Sequence, residues 1–96
     1  MHIRFDWDKN KDVLNKKKHG VSFEEASTVF YDEHALEFHD PDHSEDEDRF
    51  IMLGMSFKAR ILVVCHCVRE EGFLIRIISA RKATKHEASN YEEGRI

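Results

Sequence analysis

Three strand-like segments joined by very short connections constrain the fold of this chain more than any other feature. Residues 49–57, 60–68 and 73–81 are rich in β-branched and aromatic side chains, which favour strands. The connections have room only for tight turns, and strands joined in this way lie next to each other and antiparallel. The middle segment is apolar on both faces, so it is predicted to lie at the centre of the sheet. We expect Gly54 to mark a weak point in the strand or a bulge, and Gly72 to supply a positive φ in a turn.

Helix signals lie on both sides of these strands. A helix is predicted over residues 9–19, where Gly20 is well placed to end it. A second helix is predicted from residue 23 to near Tyr31, and a third begins close to the C-terminal end of the last strand. The predicted N-caps are Asp8, Ser22 and Thr84, the last two with a glutamate three residues later in the spacing of a capping box. Two shorter strands complete the predicted elements, at residues 4–7 and 35–39.

Together these elements predict an α+β fold, with two N-terminal helices packed on an antiparallel β-sheet meander and then a C-terminal helix. A chain of 96 residues, 41% hydrophobic, is long enough for one domain with a modest core, and we expect residues 1–96 to form it. The longest apolar run covers residues 61–65, whereas a membrane-spanning helix takes about 20 residues. The N-terminus does not have the charged-then-apolar pattern of a signal peptide. These patterns predict a cytoplasmic protein with no membrane partner.

Charge is unevenly distributed along the chain. Residues 1–22 carry a net charge of +3, residues 23–56 carry −10 and residues 57–96 carry +3, for a total of −4. If the two ends meet in the fold, they form a basic surface on an acidic protein, and such a surface attracts nucleic-acid phosphates. The alternative is that the charges mix on the folded surface.

The densest group of chemically useful side chains follows the third strand-like segment. The strand is predicted to end at Arg81 and Lys82, with the last helix beginning at Thr84. Arg81 presents a planar set of donors that suits phosphate, while Glu87 and Tyr91 lie four residues apart on one face of the helix. A cation pair, a carboxylate and a phenol at the end of a strand can act on a phosphodiester. The alternative is a solvated loop with one surface salt bridge.

Other titratable and aromatic residues have simpler explanations. Residues 39–43, His-Asp-Pro-Asp-His, place imidazole and carboxylate ligands together, but a turn explains the aspartates equally well and no third histidine has ligand spacing. A metal site is the less favoured interpretation, and no metal or other cofactor is predicted. Cys65 and Cys67 are predicted to be buried thiols on one strand face. His66 and Trp7 are predicted to belong to the core.

The order of motifs along the chain resembles that of a known family. The most specific parts are the junction Lys18-His19-Gly20-Val21-Ser22-Phe23 and the tract Ile78-Ser79-Ala80-Arg81, and the likeness extends from Phe5 to Gly94. The chain resembles the BrnT family, the toxin half of a bacterial type II toxin–antitoxin pair. This resemblance implies a fold like that of the RelE ribonuclease toxins, RNA cleavage without a metal, and neutralisation by a partner antitoxin.

An endoribonuclease without a metal needs a base for the 2′-hydroxyl, cations for the charge that develops on the phosphate, and an acid for the leaving oxygen. The candidate catalytic residues are Arg81, Lys82, Arg76, Glu87 and Tyr91, and the candidate RNA-binding residues are Lys17, Lys18 and His19. The base and the acid stay open among Glu87, Tyr91, His19 and Lys18. Arg76 and Arg81 have different strand parity, so they serve one site only if the chain has left the strand by Arg81.

The resemblance also implies partners: an RNA substrate, a BrnA-like antitoxin of the ribbon-helix-helix type, and promoter DNA that the toxin–antitoxin complex binds through the antitoxin. Two other functions stay open. One is a non-enzymatic module that binds nucleic acid or protein with the same basic surface. The other is a metal-dependent hydrolase built on His39 and His43. RNA binding without cleavage would indicate the module, and loss of activity in a chelator would indicate the metal enzyme.

Overall fold

The computed structural model of the protein describes residues 2–43 and 47–94. Its five strands are β1 (Arg4–Asp6), β2 (Leu36–His39), β3 (Arg49–Met55), β4 (Ile61–Arg69) and β5 (Leu74–Lys82). Its helices are α1 (Lys9–His19), α2 (Phe23–Ser27) and α3 (Lys85–Glu93), with short 3₁₀ turns at Thr28–Tyr31, Pro41–His43 and Glu70–Gly72. None of the helices in these ranges is long and apolar enough to cross a membrane.

The strands form one sheet in the order β1-β5-β4-β3-β2. Strands β2 to β5 are consecutive antiparallel neighbours, as expected from their short connections, and β4 lies at the centre as predicted. The α+β prediction is therefore confirmed. Strand β1 adds a parallel neighbour to β5 by pairing with its first three residues, Leu74–Arg76. The two ends of the chain thus meet along one edge of the sheet.

The core lies between one face of the sheet and α2. Its buried members are Val21, Phe23, Ala26, Val29, Leu62, Val64, Ile75, Ile77 and Ala80. Trp7 packs against this cluster, with its ring edge-on to Phe23 at a centroid distance of 6.2 Å, so the predicted core role is confirmed. His66 is fully buried and its Nε2 lies 3.1 Å from Glu37 Oε2. This burial confirms the predicted core position of His66, and it lowers the pKa of the imidazole.

Helix α1 begins and ends where the sequence indicates. The Asp8 carboxylate accepts hydrogen bonds from two backbone N–H groups of the first turn, and Gly20 ends the helix in a left-handed conformation with φ of 69°. Asn15 is the one buried residue of this helix. Its Nδ2 donates to the carbonyls of Val21 and Ala80, both at 2.8 Å, and its Oδ1 accepts from Ala80 N at 3.2 Å. These bonds hold α1 along the edge of β5.

The second predicted capping box is only half present. Ser22 Oγ accepts from Glu25 N at 3.0 Å, but the Glu25 side chain does not return to the backbone of Ser22. It is buried instead against Arg60, which donates to it from Nε at 2.9 Å and from Nη2, and against Ser56 Oγ at 2.7 Å. The Arg60 guanidinium lowers the pKa of this carboxyl. A long-range ion pair with the β3–β4 hairpin thus replaces a local capping contact.

The strands differ from the sequence predictions in local detail. Gly54 lies in regular register opposite Leu62, so the bulge predicted there as one alternative is wrong. Gly54 is needed because a Cβ there would lie 3.0 Å from Ala35 Cβ and 3.3 Å from a backbone oxygen of Val29. Strand β5 ends at Lys82, where the sequence predicts the chain to leave the strand, but Arg81 and Lys82 still pair with β4. The bulge lies in β5 instead.

Candidate active site

A cleft of about 500 Å³ opens on the face of the sheet that points away from α2. Its floor is apolar and comes from the outward-facing residues of the three central strands. Its rim carries three basic side chains and an imidazole. The lining residues are Lys18, His19, Asp40, Arg49, Ile51, Val63, Cys65, Ile78, Ser79, Ala80 and Arg81. Lys18 is exposed and Arg81 is half-buried, so both side chains are accessible to a phosphate from solvent.

Three elements bring the basic groups together. Lys18 and His19 lie in the last turn of α1, which Asn15 fixes against β5. Arg81 lies near the end of β5, and Arg49 is the first residue of β3. The two ends of the sequence therefore meet at the cleft, and part of their excess positive charge is concentrated there.

A bulge in β5 decides which face Arg81 occupies. Cys65 pairs with Ser79, whereas the next residue of β4, His66, pairs with Ile77. Ile78 is therefore an extra residue without a direct partner on β4. The extra residue reverses the alternation, so that Arg76 and Arg81 lie on the same face of the sheet although they are five positions apart. Opposite faces are expected only for a regular strand, and the bulge makes β5 irregular, so Arg76 and Arg81 share a face while both are still in β5.

Glu87 and Arg81 form a bidentate ion pair. Arg81 Nη1 donates to Glu87 Oε1 at 2.7 Å and Nη2 donates to Oε2 at 2.9 Å. The same carboxylate accepts from Thr84 N at 2.8 Å and so completes the predicted capping box of α3. Together these donors, above all Arg81, lower the pKa of Glu87 to about 2. Glu87 is therefore a fixed anion that orients Arg81 and a very weak base at neutral pH.

Comparison with known proteins identifies the family. The family model for the ribonuclease toxin BrnT of type II toxin–antitoxin systems matches residues 7–87. The chain belongs to the BrnT family. A crystal structure of the Brucella abortus ribonuclease toxin BrnT is similar in fold, with a TM-score of 0.65 and 22% sequence identity over 86% of this chain and 99% of that chain. No curated protein matches the chain by sequence.

Membership of the BrnT family makes the chain a ribonuclease toxin of a type II toxin–antitoxin system, and the cleft is where its basic groups converge. Of the residues that the sequence singled out, Lys18, His19 and Arg81 line the cleft. Lys17 is exposed next to them on α1. Lys82 is also exposed, but it pairs with Leu62 and so points to the opposite face of the sheet.

Two candidate residues of this BrnT-family chain have other partners. Arg76 forms an ion pair with Asp6 across the β1–β5 pair. Tyr91 donates its hydroxyl to Asp32 Oδ2 at 2.6 Å and lines a separate groove with His34 and Leu36. Burial and the Asp32 carboxylate raise the pKa of Tyr91 to about 12, so the phenol stays protonated at neutral pH. The structure therefore does not bring Tyr91 to the cleft.

The sequence interpretation missed Arg49. It is the single Lys or Arg between residues 23 and 56, surrounded by eleven acidic residues, and that isolation was the available signal. Its position two residues before Ile51 puts both on the cleft face of β3. The floor also includes the Cys65 thiol, whose pKa is raised by burial, while burial and Glu47 raise the pKa of Cys67 to about 11. Neither thiol is poised to act as a nucleophile.

The His-Asp-Pro-Asp-His segment has structural contacts. His39 Nε2 lies 3.3 Å from Asp48 Oδ1, and its ring is edge-on to Phe50 at 5.5 Å. Asp40 lines the cleft. The side chain of His43 lies outside the described residues. Within the ranges that are described, His, Cys, Asp and Glu form no group of three or more that could hold a metal ion.

Proposed function

We propose that this protein is a metal-independent endoribonuclease toxin that binds and cleaves RNA in the cleft between α1 and β5. The observation that carries the proposal is the convergence of Lys18, Arg49, Arg81 and His19 on one cleft with an apolar floor. Three cations suit a phosphodiester, and an imidazole is the side chain best suited to move protons near neutral pH. The location we propose is the cytoplasm, because an RNA-cleaving toxin meets its substrate there.

The chemistry follows from where charge and protons must go. His19 removes the proton of the 2′-hydroxyl, which attacks the adjacent phosphorus while the bond to the 5′-oxygen breaks. Arg81 and Lys18 stabilise the negative charge that grows on the phosphate oxygens. The products are a 2′,3′-cyclic phosphate and a 5′-hydroxyl, after a proton returns to the leaving oxygen. Glu87 orients Arg81, and Lys17, which is exposed next to Lys18 on α1, would contact the flanking RNA chain. Lys82 and Arg76 have no role in this proposal, because Lys82 points to the opposite face of the sheet and Arg76 forms an ion pair with Asp6.

Cleavage of a single-stranded RNA by the purified protein tests the proposal. We expect His19→Ala to lower kcat by about 10²- to 10⁴-fold, as for loss of an acid–base group. Arg81→Ala should lower it by roughly 10²- to 10³-fold and relieve growth arrest in cells. Lys58→Ala is the matched control, since Lys58 lies on the β3–β4 hairpin over the Phe57 ring. Wild-type cleavage by both cleft variants at equal folded concentration would contradict the proposal.

Two further measurements separate the alternative functions. Cleavage should persist in excess EDTA, and the product should carry a 2′,3′-cyclic phosphate. Activity that is lost in EDTA and restored by zinc or magnesium would instead indicate a metal-dependent hydrolase. RNA that is bound in a salt-dependent way but never cut would indicate a non-enzymatic binding module.

Neutralisation is proposed to occur by covering the same cleft. The partner would be a BrnA-like antitoxin whose ribbon-helix-helix part binds promoter DNA for the complex. Acidic side chains would meet Lys18 and Arg81, and an apolar anchor is available in Leu14, which is 63% exposed one turn before Lys18. The association rate should therefore fall with added salt, and RNA should compete. A salt-independent rate without RNA competition would place the antitoxin elsewhere.

A further inference from the structure

The side chain of Asn15 makes three hydrogen bonds to backbone groups outside its own helix. An alanine at this position would make none of them. On the side of β5 that faces β1, pairing with β1 covers Leu74–Arg76 only. Farther along that edge, Asn15 bonds both the N–H and the carbonyl of Ala80, as a neighbouring strand would. Its third bond, to the carbonyl of Val21, ties in the chain just after α1. Ala80 and Asn15 are both buried.

The helical spacing links this contact to the cleft. Lys18 and His19 lie three and four residues after Asn15, so all three lie on the same side of α1. Ala80 immediately precedes Arg81. The Asn15 side chain therefore connects α1 to β5. The connection lies about one helical turn from Lys18 and His19 on α1 and next to Arg81 on β5.

We infer that Asn15 is a positioning residue, which sets the distance between Lys18 and His19 on α1 and Arg81 on β5. The inference rests on the proposed function of the cleft and identifies what holds that cleft in its active geometry. Asparagine is an unfavourable residue in the middle of a helix. Its place here is explained by the need to match one donor and one acceptor of a strand edge with a single planar amide.

The test compares two Asn15 variants with a control on the same helix. Asn15→Ala removes all three bonds. Asn15→Ser introduces no charge and keeps a small hydroxyl in place of the amide, but it is too short to make all three bonds, so it keeps the test valid if the alanine variant does not fold. The control is Asp12→Ala, because Asp12 accepts from Phe23 N at 2.9 Å, which ties α1 to α2, and forms an ion pair with Lys16. All variants are assayed on a fluorescent single-stranded RNA, well below their unfolding temperatures.

We expect kcat per folded molecule to fall by about tenfold or more in the Asn15 variants, because a misplacement of about 1 Å can cost as much as 100-fold. KM should change less, since flexible lysine and arginine side chains still reach phosphate. The pH profile should also change, since it reports proton transfer by His19. Asp12→Ala should keep kcat within about twofold, because loss of stability alone changes only the folded fraction.

The inference and the proposed function fail in different ways. If His19→Ala and Arg81→Ala lose activity while the Asn15 variants match Asp12→Ala in kcat and pH profile, Asn15 has a purely structural role and the inference is wrong. If the Asn15 variants lose kcat while both His19→Ala and Arg81→Ala keep it, Asn15 does not act through the basic groups of the cleft. The inference is then wrong together with the assignment of the cleft.

Discussion

At the scale of single residues, the Arg81–Glu87 pair shows how a correct local prediction takes on a different meaning in three dimensions. The Thr84–Glu87 spacing correctly predicted the cap of α3. The same carboxylate also forms an ion pair with Arg81, which the sequence interpretation treated as a separate catalytic group. The Glu87 side chain thus caps α3 and also orients Arg81, which lines the cleft.

Replacing Glu87 with glutamine should destabilise the protein in a pH-dependent way. The folded-state pKa of Glu87 is lowered from 4.5 to about 2, so its stabilising contribution is complete above pH 4.5. That contribution is lost as the pH falls from 4.5 towards 2, because protonation breaks the ion pair. Urea unfolding of both proteins should therefore give a difference in unfolding free energy that is constant at neutral pH and shrinks in acid. The control is Glu92→Gln, which lies exposed on the same helix.

Tyr91→Phe separates a structural phenol from a catalytic one. Removing the hydroxyl that donates to Asp32 should cost about 1 kcal/mol of unfolding free energy and leave cleavage unchanged. Because the folded-state pKa of Tyr91 is raised from 10 to about 12, its contribution is complete below pH 10 and is lost as the pH rises through 12. Thermal unfolding and cleavage rates measure the two effects. A tenfold loss of cleavage in a folded variant would return Tyr91 to the active site.

At the scale of elements, most of the fold could be predicted because the signals were local. Periodicity, turn residues and N-caps act over a few residues, and they predicted α1, α3 and the antiparallel order of β2 to β5. The bulge at Ile78 could not be predicted, since it exists only in the register between β5 and β4. Arg49 was missed for the same reason: its place at the cleft depends on pairing across the sheet.

The β3 glycine offers a test of packing between elements. Gly54→Ala should lower the unfolding free energy by about 1–3 kcal/mol, because the added Cβ meets Ala35 and the backbone of Val29. Combining it with Ala35→Gly removes the closest contact, at 3.0 Å, and should restore part of the loss. Urea unfolding of the two single variants and the double variant forms the cycle. Strictly additive effects would show that Ala35 is not the obstacle.

At the scale of the whole molecule, the fold gathers basic residues from separate parts of the sequence. Helix α1, with its five lysines, lies along β5, and Lys18 of that helix reaches the cleft together with Arg81. Arg49 reaches the same cleft from β3, and Asp40 is the acidic residue among those that line it. A protein with a net charge of −4 thus presents a basic cleft.

This arrangement predicts a salt dependence of definite size for RNA binding. If Lys18, Arg49 and Arg81 each neutralise one phosphate, the logarithm of the binding constant should fall with the logarithm of salt concentration with a slope of about −2. Lys18→Ala should reduce the magnitude of that slope by about 0.7, whereas Lys58→Ala should leave it unchanged. Fluorescence anisotropy with a short RNA, titrated at several salt concentrations, measures both. A slope near zero would mean that phosphates are not the main contact.

The basic cleft has a further consequence for how the molecule moves before it touches anything. The basic residues of the cleft, Lys18, Arg49 and Arg81, lie on one face of a protein whose net charge is −4, so positive charge is unevenly distributed over its surface. The field of an approaching polyanion attracts that face and repels the acidic parts of the surface within a Debye length, about 8 Å at physiological ionic strength. The cleft therefore reaches RNA already oriented, although the protein and its substrate have the same sign of net charge.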